Sequence, residues 1–162
     1  MSKVITTDGA SSESAFSKTQ KQVLAIIVNM MIPAEGDMPG AADATIFSGI
    51  LVRMEEKESA VKMALGIIEE MSTNQAGGSF LALDNDEQQG VIESFRSAQA
   101  DLTRLFQLCT VASYYQDDRV MNALGLEARP PHPVGYEVEQ TDWSLLDPVR
   151  AKEKFYRKTS PA

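Results

Sequence analysis

Apolar residues recur along this chain at helical spacing, in runs separated by short breaks rich in Pro, Gly and small polar residues. The first run, Val23, Ile26, Ile27, Met30 and Met31, follows Ser17 and Gln20, whose separation is that of a capping box. Pro33 predicts its end near Ile32. "IPAEGDMPGAADA", with two Pro and two Gly, reads as a turn-rich loop. Asp43 is the expected N-cap of a second helix carrying Ile46, Ile50, Leu51 and Met54 inward. That helix either runs on or breaks near Lys57 to Ser59, before Val61, Ala64, Leu65, Ile68 and Met71 repeat the period. "STNQAGGS", 72–79, reads as a loop.

Asp84 and Glu87 form a second capping box, with Phe80 or Leu83 placed to staple onto Gln88 or Val91. Val91, Ile92 and Phe95 make the buried stripe of that helix. A further helix, about Asp101 to Gln116, shows Leu102, Leu105, Phe106, Cys109 and Ala112 on one face, with Tyr114 and Tyr115 near its end. "DDRVMNALG" reads as a short helix or turn, with Gly125 as its C-cap. No window alternates with period two. The pattern therefore predicts an all-α fold, a small bundle of about five helices.

The rhythm changes after residue 124. Glu127 to Trp143, "EARPPHPVGYEVEQTDW", holds three of the seven prolines, the only His and the only Trp. Pro130, Pro131 and Pro133 favour extended or polyproline-like backbone and remove three N–H donors. Tyr136, Trp143, Leu145, Leu146, Val149, Phe155 and Tyr156 follow with neither strand alternation nor a long helical period, although Asp147-Pro148 suits the start of a short helix. Such a segment is too apolar for a solvated tail. Either it folds back over its own helices, or its apolar residues anchor in grooves of a partner, the prolines lowering the ordering cost. The expected organisation is a disordered leader over 1–16, a helical domain over 17–124 and an extended Pro-rich arm over 125–162.

Composition narrows the class. A chain of 162 residues, 43% apolar and 23% charged, has the size and balance of one soluble globular domain. Its single cysteine, Cys109, cannot form an internal disulfide, so the fold is no disulfide-stapled scaffold. The opening "MSKVITTDGASSESAF" has neither an apolar core nor an Arg pair, and the expectation is neither a Sec nor a twin-arginine signal. The longest apolar run, Val23 to Ile32, includes Asn29 and is too short to span a bilayer, so no membrane anchor is expected. The net charge of −8 is uneven. Arg150, Lys152, Lys154, Arg157 and Lys158 against Glu153 give the last 13 residues +4, leaving −12 on the other 149. An acidic body repels a phosphate backbone, which argues against nucleic acid.

Catalytic motifs fail one by one. A single His and a single Cys exclude His-rich and multi-Cys metal sites. "DNDEQQG" resembles a calcium loop, but its glycine falls at the wrong position and its twelfth residue is Phe95. "AGGSF" and "AEGDMPG" lack the spacing and Lys of a phosphate loop. Cys109 lies among apolar neighbours at helical spacing, as an inert core thiol does, and nothing brings His132 to it as a base. No catalytic, cofactor-binding or metal-binding residue is assigned.

Three segments, in order, carry a resemblance. "LAIIVNMMIPAEGDMPGAADATIFSGIL", with Ile32-Pro33-Ala34 and Gly40-Ala41-Ala42 around an acidic, Gly-rich loop, resembles the start of the gluconate 2-dehydrogenase subunit 3 family. "FLALDNDEQQGVIESF" is similar to its capping segment. "LFQLCTVASYYQDDRVMNALGLEARPPHPVGY" is similar to its ending, with Tyr114-Tyr115 and Pro133-x-Gly135-Tyr136. The resemblance covers about residues 16–136. It implies a non-catalytic helical subunit that binds and stabilises a larger flavoprotein of the glucose–methanol–choline type. That partner carries FAD and oxidises a sugar or sugar acid, and in some systems a cytochrome c subunit takes the electrons. Exported members often supply a twin-arginine signal. None is read here, so a cytoplasmic complex is expected unless a partner supplies the address. The expected contact residues are Tyr115, Pro133, Tyr136 and Trp143, with Leu145 and Leu146 behind them. A stand-alone helical scaffold or regulatory module, its arm closed on itself, is the alternative.

Overall fold

The computed structural model describes residues 15–130, 132–133, 135, 137 and 140–153. Among them are seven α-helices and two short 3-10 turns, with no strand beyond an isolated bridge between Glu35 and Met38. The all-α expectation holds. The chain divides into two units, Met1–Arg129 and Pro130–Ala162.

In the first unit, α1 (Lys18–Met31) opens on the expected capping box. Ser17 Oγ accepts from the Gln20 amide at 3.2 Å, and Gln20 Oε1 accepts from the Ser17 amide at 2.9 Å. Phe16, expected at the end of the leader, is instead a core residue, 2% exposed. The packed chain therefore begins before the capping box, while 1–14 lie outside the described residues. α2 (Ala44–Glu55) starts at Asp43, whose carboxylate accepts from the Thr45 amide at 3.1 Å, and buries Ile46, Ile50 and Met54. The chain breaks after Glu55, and α3 (Glu58–Ala76) buries Val61, Ala64, Leu65 and Ile68.

α3 also runs through Ser72 to Ala76, where the composition predicts a loop. Ser72 Oγ donates to the Ile68 carbonyl at 2.7 Å and Thr73 Oγ1 to the Glu69 carbonyl at 3.0 Å. These hydroxyls turn back onto their own helix instead of drawing the backbone out of it. Gly77, at φ 75°, ends the helix in the left-handed conformation that glycine adopts without a Cβ clash.

A 3-10 turn at Phe80–Ala82 leads to α4 (Asn85–Ala98) and its capping box of Asp84 and Glu87. Phe80 and Val91 share the core, and the buried Gln88 amide donates to the Phe80 carbonyl at 2.9 Å. α5 (Ala100–Tyr114) packs along α2 and also meets α1, α3 and α4. Its Phe106 stacks on Phe95 of α4 with ring centroids 6.2 Å apart. α6 (Asp118–Ala123) is followed by Gly125 at φ 71°.

The loop between α1 and α2 is closed on itself. The Ala41 amide donates to the Ile32 carbonyl at 2.9 Å, and Glu35 and Met38 exchange backbone bonds at 3.1 and 2.9 Å across a turn at Gly36. Tyr114 of α5 fastens it, its hydroxyl donating to the Pro39 carbonyl at 2.9 Å. Gly40 sits where the two arms of the loop meet. A Cβ there would lie 2.9 Å from the Ala34 amide nitrogen and 3.0 Å from Asn29 Oδ1.

In the second unit, the His132-Pro133 peptide is cis and Gly135 has φ 72°. A 3-10 turn at Trp143–Leu146 runs directly into α7 (Asp147–Arg150), which has Pro in its first turn as Asp147-Pro148 suggests.

Gly40→Ala is expected to lower the unfolding free energy by about 1–3 kcal/mol, because a backbone nitrogen cannot rotate out of the way as a side chain can. The readout is a lower urea midpoint at unchanged slope. An unchanged midpoint would mean that the loop opens at no cost.

Candidate partner-binding surfaces

α2, α5 and α6 are joined by two arginines. Arg53 of α2 reaches across to α5, Nε donating to Ser113 Oγ at 3.0 Å and Nη2 to Gln116 Oε1 at 2.9 Å. The helices come close there because Gly49 faces Ser113, a Cβ at Gly49 lying 3.7 Å from the serine side chain. Arg119 grips both oxygens of Asp43, at 2.7 and 3.2 Å, and both oxygens of Asp117, each at 2.9 Å. Asp43 and Asp117 are the N-caps of α2 and α6. One guanidinium thus ties two helix starts together. Its hydrogen bonds hold both carboxyls below the ordinary aspartate value, and they hold the guanidinium more firmly protonated.

Beside this network lies a cleft of about 660 Å³, with Val52 and Glu56 on one wall and Gln116 and Asp118 on the other. Arg53 and Arg119 in its walls are already engaged by the acceptors just named, so the cleft's polar lining works chiefly as a clasp between helices. A smaller cavity of about 380 Å³ opens among α1, α4 and α5 and is lined by Met30, Met31, Ile92, Phe95 and Phe106. Thr103 also lines it; the Thr103 hydroxyl is buried and has no hydrogen-bond partner among the described residues.

α5 is apolar on two sides. Its buried side consists of Thr103, Phe106, Cys109, Thr110, Ser113 and Tyr114. Leu102 and Leu105, expected on the inner face, are only partly buried, and Ala112, also expected there, is exposed. Ser113 goes inward where it faces Gly49 of α2. Leu108 and Val111, whose residue types alone suggest core, are exposed, Leu108 at 57%. With Tyr115 they fall at i, i+3 and i+7, a single outer stripe. Arg104 is the only charged residue between Asp101 and Asp117. Loss of charge together with apolar and aromatic exposure is the composition of an interface centre rather than of ordinary surface.

The expected contact residues divide between the units. Tyr115 stands at the end of α5, 49% exposed, its ring edge-on to Tyr114 at 5.3 Å. The neighbouring tyrosines have different roles: Tyr114 is core and Tyr115 is surface. Pro133 is an exposed turn residue, and Tyr136 lies outside the described residues. Trp143, Leu145 and Leu146 share one 3-10 turn, with Trp143 62% and Leu145 71% exposed, and Val149 of α7 joins them at the surface. Val149 could have been found from its spacing to Leu145.

Cys109 is buried beneath α2, and desolvation pushes its thiol above the ordinary value. Among the described residues no group of three or more His, Cys, Asp or Glu side chains could hold a metal ion, and no helix is long and apolar enough to cross a membrane.

A family model described as gluconate 2-dehydrogenase subunit 3 matches residues 18–147, and the chain belongs to that family. The matched span includes the outer stripe of α5 and the turn bearing Trp143. No curated protein and no solved structure matches the chain.

Two measurements check this geometry. The carboxyls of Asp43 and Asp117 ionise more readily folded than unfolded, so their bonds to Arg119 stabilise the fold above the ordinary value of 3.8 and lose that effect as pH falls through their lowered values. The stability gap between wild type and Arg119→Met is expected to stay constant at about pH 5–7 and to shrink below about pH 4. A gap independent of pH would show that the arginine acts through packing alone. Separately, Cys109 is expected to alkylate slowly at neutral pH in the folded chain and rapidly in denaturant. Equal rates would place the thiol at the surface.

Proposed function

We propose that this member of the gluconate 2-dehydrogenase subunit 3 family is a non-catalytic small subunit. It binds and stabilises a larger FAD-dependent dehydrogenase of the glucose–methanol–choline type, which oxidises a sugar or sugar acid. Family membership across residues 18–147 carries this reading. The two apolar surfaces support it, since a helix with apolar residues on both sides suits a chain that completes its burial on another protein. The raised, buried thiol of Cys109 argues against nucleophilic chemistry by this chain. FAD belongs to the partner on this reading, and a cytochrome c subunit, where the complex includes one, accepts the partner's electrons.

Affinity purification of the tagged chain from its native source tests the proposal. The expected eluate holds a larger yellow protein in about equal amount, with a flavin spectrum and dye-linked sugar or sugar-acid dehydrogenase activity. The larger protein made without this chain is expected to be less soluble and to melt at a lower temperature. A colourless monomer, resistant to protease through its C-terminal segment, would establish the self-contained module in its place.

A further inference from the structure

The second unit contains a short folded element with an apolar side. Asp142 caps it, Oδ1 accepting from the Ser144 amide at 3.0 Å and from Ser144 Oγ at 2.6 Å. The Leu145 amide bonds back to the Asp142 carbonyl, the Ala151 amide to Asp147 and the Lys152 amide to Val149, so the backbone is satisfied locally through both turns. Asp147 pairs with Arg150 at 3.3 Å. The geometry explains why the sequence shows no helical period here. Trp143 and Leu146 eclipse at the three-residue spacing of a 3-10 turn, and Leu145 and Val149 align at the four-residue spacing of an α-turn. The change of pitch gathers all four into about a third of the circumference. Ser144 and Asp147 take the other side, and Arg150 stands at the edge beside Leu146. Neither turn buries a residue.

We infer that residues 142–150 dock as a preformed amphipathic helical plug in an apolar groove of the larger dehydrogenase subunit, a groove rimmed by carboxylates. The mode is helix-in-groove recognition, with Trp143 and Leu146 as anchors and Leu145 and Val149 beside them. Charge identifies the rim. Directly after the anchors the sequence places Arg150, Lys152, Lys154, Arg157 and Lys158 against one acid, while the rest of the chain sums to −12. A basic rim would repel that end, whereas an acidic one attracts it and speeds encounter. The inference rests on the proposed partner and specifies how that partner is held.

The chain's only tryptophan makes the test direct. The full chain is labelled with 5-fluorotryptophan and titrated with the purified larger subunit. The single fluorine resonance is expected to shift and broaden, and in titration calorimetry of the unlabelled chains Trp143→Ala is expected to raise Kd at least about tenfold. Asp142→Ala, which removes the cap, should raise Kd by about fivefold, while Asp142→Asn, which still caps, should stay within about twofold. Raising the salt from 50 to 300 mM should also weaken binding. If the wild-type chain binds and Trp143→Ala binds equally well, the plug is wrong and the small-subunit reading stands. If Asp142→Ala and Asp142→Asn behave alike, the segment binds in some other conformation and the preformed plug is wrong. Binding that salt leaves unchanged overturns the acidic rim. A wild-type chain that does not bind the larger subunit at all overturns both the plug and the reading on which it rests.

Discussion

The bond from the Tyr114 hydroxyl to the Pro39 carbonyl fixes where the second helix of this fold can begin. The loop it holds has little freedom: Ile32 and Ala41 close its base, and Gly40 lets backbone pass backbone with no room for a side chain. Asp43 follows three residues later and caps α2, so the starting point and direction of α2 are set by a tyrosine from the far end of α5. α2 then lies along α5 in the most extensive helix pairing of the first unit. Arg119 repeats the logic from α6, binding the cap of α2 and its own cap at once. Burial raises the pKa of the Tyr114 phenol, which keeps it protonated and able to donate across the neutral range.

Local signals in the sequence located most of the helices. Capping boxes such as Ser17 with Gln20 and Asp84 with Glu87 involve groups three residues apart, and the stripes on α1 to α4 need only one apolar side each. Three features were not legible for reasons that are equally physical. Ser72 to Ala76 has the composition of a loop, yet back-bonding hydroxyls and a left-handed glycine at 77 extend the helix. On α5 both sides are apolar, so periodicity could not say which faced inward. The choice was made at long range by α2, which lies along α5 with Gly49 facing Ser113. The pairings of Arg53 with Ser113 and Gln116, and of Arg119 with Asp43, span at least 60 residues and leave no trace in spacing.

The candidate surfaces were legible to the extent that they looked out of place. Trp143, Leu145 and Leu146 stood out because a polar, Pro-rich stretch had no local use for them. Val149, apolar like them, shares no single helical period with all three, because the pitch changes between the 3-10 turn and α7, and only its four-residue spacing from Leu145 marks its side. Leu108 and Val111 were hidden for the opposite reason: leucine and valine in the middle of a helix look like core. Only the position of α2 reveals that they face outward.

Magnitudes show why one such surface would not suffice on the proposed reading. Full burial of four large apolar side chains on the terminal turn contributes on the order of 1.5–3 kcal/mol each. Bringing two proteins together costs roughly 4–15 kcal/mol in lost freedom, before any imperfect desolvation. These are of similar size, so the turn by itself supports weak association. The outer stripe of α5 adds Leu108, Val111 and Tyr115 on a helix already held rigid by its packing on α2, so their burial carries little further ordering cost. Because both surfaces belong to one chain, the second contact forms at an effective concentration set by the residues between Tyr115 and Trp143 and not by bulk solution. Each proline in the sequence between them removes backbone freedom before binding rather than during it. On that reading, two modest apolar surfaces carried by one chain let a partner hold the subunit without a large continuous interface.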